Sequence, residues 1–178
     1  IVLSILRQAM GTQQTPPNQV LIAVALFLTL FIMSPTLSKI NNESLSPYLS
    51  GDLTAENALL KASNTVKDFL VFNTRKNDLQ MFADLAGDEK YESNYEVPLP
   101  VLLPAFITSE LKTAFQIGFL LFLPFLVIDM VIASTLMSLG MMMLSPMLVS
   151  LPFKLLLFVL VDGWAMTVGS LVATYSSS

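Results

Sequence analysis

Apolar residues in this chain run in long blocks separated by one polar stretch and a few tight turns. The longest block lies between Lys112 and Lys154, 41 residues with a single charge, Asp129. A soluble domain of this size cannot bury such a run, so it belongs in lipid or inside a membrane assembly. A second block, Gln8 to Ser38, carries no charge, and Val20 to Met33 is apolar apart from Thr29. As a helix, Val20 to Leu37 spans about 27 Å, close to the thickness of a hydrocarbon core, which predicts one crossing. Before it, Thr15-Pro16-Pro17-Asn18 cannot continue a helix, because two prolines remove two donors and hold the backbone extended. A stiff turn therefore joins residues 1–11 to residues 20–37. The opening IVLSILRQAMG starts at Ile1 rather than Met and reads as the end of an apolar helix already in progress, so the expectation is that the true start is missing.

Residues 38–97 are polar and too short for a large core of their own. Leu59, Ala62, Val66, Phe69 and Leu70 recur at helical spacing after Asp52 and Thr54, predicting a helix over about 54–72. Leu79, Phe82 and Leu85 share one face of a second helix over about 75–86, with Gly87 as its stop. Asp88 to Glu96 reads as a linker, and Pro98, Pro100 and Pro104 are expected to keep the chain extended up to the next helix. From Ala105 the pattern is helical to about Leu139, with a kink at Pro124. A turn over Gly140 to Pro146 leads to a last helix, Leu155 to Ala173, closing a helical hairpin. In that last helix Ala165, Gly169 and Ala173 make a small-residue stripe, which is either a seam for close helix approach or chance.

Composition narrows the function. Hydrophobic residues make up 54% and charged residues 12% of the chain, against about 25% charged in ordinary soluble domains. With no Cys and no His, the usual metal ligands, the thiolate nucleophile and the commonest general base near neutral pH are missing, and neither metal nor cofactor is expected. The net charge of −4 sits entirely in residues 39–96, which hold six Lys or Arg and ten Asp or Glu. Nothing is basic enough to suggest nucleic acid. By charge bias the acidic segment lies outside, with Arg7 and Lys154 nearer the cytoplasm. There is no Gly-rich phosphate loop, so energy for any transport must come from elsewhere.

Three features are candidates for function. Asp129 and Asp162 fall within apolar helices, where a charge costs roughly 2.5–3.5 kcal/mol. They are open to three readings: a proton or ion relay, a pair of catalytic carboxylates, or neutral and hydrogen-bonded groups that fasten helices. Intramembrane aspartyl proteases carry Gly-x-Gly-Asp at one acid, whereas Leu160-Val161 precede Asp162 here. Met141, Met142 and Met143 sit at the hairpin turn beside Gly140 and Pro146, either as gap-filling packing or as a seal that yields and closes again when several copies converge. Glu110 and Lys112 read as a charged rim, being too close in sequence to pair on a helix face.

The string Pro104-Ala105-Phe106-Ile107-Thr108-Ser109-Glu110-Leu111-Lys112-Thr113-Ala114-Phe115-Gln116-Ile117-Gly118-Phe119, followed by Pro124-Phe125-Leu126-Val127-Ile128-Asp129, resembles the paired signatures of the flagellar export-gate P subunits, the FliP family, and their injectisome relatives. Thr15-Pro16-Pro17-Asn18-Gln19-Val20 and Phe31-Ile32-Met33-Ser34-Pro35 resemble the same family, so the likeness spans nearly the whole chain apart from residues 38–97. The Gln19-Val20 stretch and the acidic segment favour the flagellar branch.

That resemblance implies a subunit of the type III secretion core in the bacterial inner membrane at the flagellar basal body. It implies a homo-oligomer, five copies by resemblance, built with small Q and R subunits and other export-gate and basal-body proteins around a conduit for unfolded protein substrates. Met141, Met142 and Met143 match the family's methionine loop, which implies a pore gasket. It also implies that the apolar hairpins stand largely above the bilayer plane, packed on one another, a case that burial patterns do not separate from lipid exposure. The expected architecture is thus all-α: membrane-associated helical hairpins forming a ring or helical stack. Its expected parts are an apolar hairpin at 1–37, a polar and mostly helical periplasmic segment at 38–97, and an apolar hairpin with the methionine loop at 98–178. On this reading the protein is not an enzyme; the rival is an intramembrane aspartyl-type enzyme using Asp129 and Asp162.

Overall fold

The 23 residues from Asn18 to Ile40 form a helix, α2, that is apolar on every face. Only Leu21 of it is buried, and Phe27, Leu30 and Phe31 are exposed. A helix apolar all round must be covered by lipid or by other protein. The computed structural model to which α2 belongs describes residues 1–87, 91 and 96–175, and all regular structure among these is helical. Of the linker expected over 88–96, only Tyr91 and Glu96 fall among the described residues. Val2–Ala9 forms α1 ahead of α2. Beyond α2, residues Asn41–Leu45 make a π-helical turn that leads into α3, Ser46–Leu49. Pro47 explains the widened turn: it offers no N–H to the Glu43 carbonyl and its ring presses on that carbonyl. Then come α4 (Ala55–Phe72), α5 (Lys76–Ala86), α6 (Leu99–Ser138), α7 (Pro146–Leu160) and α8 (Gly163–Ala173).

Two runs, Asn18–Leu49 and the 40-residue α6, are long and apolar enough to cross a membrane. The pair α7 and α8 passes the same test only together, bent by 62° at its break. The helices divide into two compact units, Ile1–Leu28 with Thr113 onward, and Thr29–Lys112, so the division falls within α2 and within α6.

In the unit Thr29–Lys112, α4 begins where Thr54 turns extended and its hydroxyl accepts the Asn57 N–H at 3.4 Å, and it ends where Asn73 Nδ2 donates to the Phe69 carbonyl at 2.8 Å. α5 ends on Gly87 at φ 76°, a left-handed stop suited to glycine. Both helices lie where the apolar spacing places them. Leu70, Ala83, Val97, Val101 and Leu102 form the core here, with Phe69 and Phe106 packed at 6.4 Å between ring centres.

α6 begins six residues earlier than the sequence pattern suggests. The Pro98 carbonyl accepts the N–H groups of Val101 and Leu102, each at 3.0 Å, so Pro100 sits at a first-turn position where its missing donor costs nothing. Fully buried Leu102 and Ala105 hold this early start against the core. The helix then runs through Pro124 without a break.

In the other unit α1 buries Val2, Leu3, Leu6 and Ala9, and Leu6, Ala9 and Met10 join Phe125 and Phe158 in one core. Gly118 of α6 lies where any Cβ would press on Ile5 of α1. Arg7 ties α1 to the proline turn, donating to the Pro16 carbonyl at 3.0 Å and to Asn18 Oδ1 at 2.7 Å.

The expected single last helix is instead two. α7 starts at Pro146, stops at Leu160, and the chain passes through Asp162 at φ 50° before α8 begins. Glycine permits the bend: a Cβ on buried Gly163 would overlap the Phe158 ring, which also meets Trp164 edge-on at 5.4 Å between centres. Gly163→Ala is therefore expected to destabilise this unit by about 1–3 kcal/mol, read as a lower thermal midpoint of the detergent-solubilised protein. Adding Phe158→Leu should recover part of the loss, and an unchanged midpoint in the single variant would contradict the close contact.

Candidate functional site

The turn between α6 and α7 is built from backbone outward. Gly140, at φ 70°, follows the last residues of α6; its N–H donates to the Met137 carbonyl at 3.1 Å and the Met141 N–H donates to the Leu136 carbonyl at 3.0 Å. These two bonds close a Schellman motif, which satisfies the final carbonyls of the helix. On the far side Ser145 is extended and Pro146 opens α7 at the position where proline fits best. The backbone of Met141–Met142–Met143 is thereby fixed at both ends, while the side chains project outward. Met141 is half exposed, Met142 is 84% exposed and Met143 wholly so.

Below the turn, α6 and α7 are joined by a polar cluster. Lys154 Nζ donates to Asp129 Oδ2 at 2.5 Å, and Ser150 Oγ donates to Asp129 Oδ1 at 2.5 Å. Ser150 and Lys154 are four residues apart and so share one face of α7. Lys154 is only 2% exposed, and its ammonium lies beside Gly11 at the end of α1, where the helix dipole adds negative character. Asp129 stands nine residues before the end of α6 and Lys154 eight residues after the start of α7. Both arms of the hairpin are thus about 12–14 Å long, and the turn closes without skew.

The sequence-predicted acids are not brought together. Asp129 is committed to Lys154 and Ser150, whereas Asp162 is exposed, in left-handed backbone at the α7–α8 break rather than inside a helix. Asp162 lies eight residues beyond Lys154, about 12 Å along the helix. Two carboxylates so placed do not share a proton, which a catalytic dyad requires. Lys154, read from sequence as a charge near the cytoplasm, is buried within α7 and paired with Asp129 rather than free in a loop. Its signal was available: Ser150 and Lys154 are the polar pair at helical spacing in an otherwise apolar run.

α6 carries a second polar contact set in the unit Thr29–Lys112. Ser109 Oγ accepts the Arg75 N–H at 3.0 Å, capping α5 from outside, since Arg75 itself supplies no side-chain cap. Lys112 reaches buried Asp78 of α5 at 3.7 Å while staying largely exposed, so it is more than a rim charge. No group of His, Cys, Asp and Glu suited to a metal ion occurs among the described residues. An apolar cavity of about 250 Å³ lies beside the α7–α8 break, walled by Leu6, Pro124, Phe125, Phe158 and Gly163 among others.

Comparison with known proteins adds the following. Residues 1–171 match the model of the FliP family. The flagellar biosynthetic protein FliP of Cereibacter sphaeroides is 73% identical over 175 residues, covering 98% of this chain and 58% of that protein. Its namesakes in Bacillus subtilis (strain 168) and Aquifex aeolicus (strain VF5) are 55% and 51% identical, each over 98% of this chain and over 79% and 74% of their own lengths. The chain thus spans little more than half of the first relative.

Removing one partner of the polar cluster leaves a charge stranded in apolar surroundings. Lys154→Met should destabilise the hairpin by about 3 kcal/mol, while Lys154→Met with Asp129→Leu should recover most of that. Resistance to proteolysis across residues 129–154 reads the difference, and a double variant as fragile as the single would contradict the pairing.

Proposed function

The chain belongs to the FliP family, and from that membership we propose that it is a pore-forming subunit of the flagellar type III protein export gate. Several copies, five by resemblance, assemble with Q and R subunits in the bacterial inner membrane at the flagellar basal body, alongside other export-gate and basal-body proteins. They enclose a conduit for unfolded flagellar proteins. The apolar hairpins at 1–37 and 98–178 turn their outward faces to sister subunits or lipid, which is what the exposed apolar residues of α2 and α6 require. The polar segment 38–97 lies on the periplasmic side. Its support is charge: the acidic excess is confined to residues 39–96, where ten Asp or Glu outnumber six Lys or Arg, while Arg7 stands ahead of the first crossing and Lys39 at its far end.

One observation carries the pore reading. Three consecutive Met side chains project from a turn whose backbone is locked by a Schellman motif on one side and Pro146 on the other. A conduit for unfolded chains must close on nothing at rest and admit side chains of every shape in use. Unbranched thioethers on fixed backbone meet both demands, since they re-pack by rotamer change alone and leave no polar atom for water or ions to follow. Met141, Met142 and Met143 from each copy then form the gasket. The chain itself makes and breaks no bonds, and Asp129 fastens helices.

Replacing Met141, Met142 and Met143 together by Ala is expected to raise ion leakage across the membrane several-fold with the assembly intact. Conductance equal to wild type in an assembled gate would remove the gasket.

A further inference from the structure

We propose that Met142 and Met143, with Met141 behind them, are an oxidative modification site, at which peroxide converts the thioethers to sulfoxides and opens the seal. The proposal rests on the gasket reading above. Susceptibility of methionine to oxidation follows access. Met143 is wholly exposed and Met142 84% exposed, and beside them nothing stands within 4 Å of where a Cβ on Gly140 would lie. Met10 is the opposite case, 4% exposed in the core with Leu6, Phe125 and Phe158. Met130, Met137, Met147 and Met166 are exposed as well, but they lie on or beside helix faces that sister subunits or lipid would cover, and Met81, also exposed, belongs to the polar segment outside any seal. On the gasket reading it is the turn that borders the aqueous passage.

The step balances with hydrogen peroxide as oxidant. A sulfur lone pair attacks one peroxide oxygen, the O–O bond breaks, the S–O bond forms, and proton transfer releases the other oxygen as water. Sulfur is oxidised by two electrons and peroxide is reduced by two. A methionine sulfoxide reductase with a thiol reductant reverses it, the oxygen leaving as water while two thiols become a disulfide. The product replaces a deformable apolar tip with a chiral polar group that binds water. A ring of such groups holds a hydrated opening where the thioethers excluded one. The gate would therefore leak under oxidative stress and reseal after repair.

The test uses the full-length protein in its native membrane assembly, exposed to graded hydrogen peroxide, with oxygen addition mapped by peptide mass and ion leakage measured on the same membranes. Met142 and Met143 should gain oxygen roughly tenfold faster than Met10. Leakage should rise in step with them and fall after sulfoxide reductase. In the variant with Met141, Met142 and Met143 all changed to Leu, peroxide should add nothing to whatever leakage that variant already has. Oxidation of the turn no faster than of Met10 overturns the proposal. So does complete oxidation with no added leakage while the Met-to-Ala variant leaks, in which case the gasket stands and the switch alone fails. A Met-to-Ala variant that stays tight removes the gasket and this proposal with it.

Discussion

The contact between Asp129 and Lys154 is the constraint on which the α6–α7 hairpin depends. Both helices are apolar on nearly every face, and dispersion between such surfaces discriminates poorly between registers that differ by one helical turn, about 5.4 Å. One carboxylate on α6 and one ammonium on α7 remove that freedom, because a slip would strand both charges at a cost of several kcal/mol per ion. Ser150 fills the remaining carboxylate oxygen, so the cluster satisfies both of them. This is the role best attested for isolated polar groups in apolar helix packing: they fix register more than they add stability. With register fixed, two arms of nearly equal length bring the chain to Gly140, and the methionines follow on a backbone that has no slack.

The same logic operates at the start of α6. Ser109 caps α5 by taking the Arg75 N–H, and the largely exposed Lys112 leans on buried Asp78, a contact that solvent at the ammonium holds to about 1 kcal/mol. The stronger contribution there is apolar, from Leu102, Val101 and Val97 against Leu70 and Ala83. Of the polar residues in this long helix, those at 109, 112 and 129 each meet a partner on another helix. The string that carries the family likeness thus combines core positions with docking positions.

Much of this was legible in the chain. α4 and α5 announce themselves through Thr54, Gly87 and apolar spacing, because local capping chemistry decides their ends. α2 and α6 are visible as apolar runs. Three things were hidden because tertiary contacts decide them. α6 starts early since Pro98 offers its carbonyl and Leu102 is buried, which overrides the usual reading of three clustered prolines. α7 and α8 part at left-handed Asp162, where a glycine at 163 lets the backbone close over the Phe158 ring, although the Asp162-Gly163 pair was a turn signal in its own right. Lys154 looked like a topological charge because nothing in the sequence states which helix face meets Asp129. The methionine turn was located correctly from Gly140 and Pro146, while its exposure and its Schellman lock needed coordinates.

Charge reversal across the hairpin probes the register most directly. Asp129→Lys alone and Lys154→Asp alone should each prevent formation of an intact, ion-tight assembly, since each places two like charges together in apolar surroundings. The double reversal restores an opposite pair at the same height on both arms, so the account predicts recovery of assembly and of low leakage toward wild type. If the doubly reversed protein fails as completely as either single variant, or if the single variants assemble and seal normally, the ion pair does not set the hairpin and the account of the methionine turn loses its foundation.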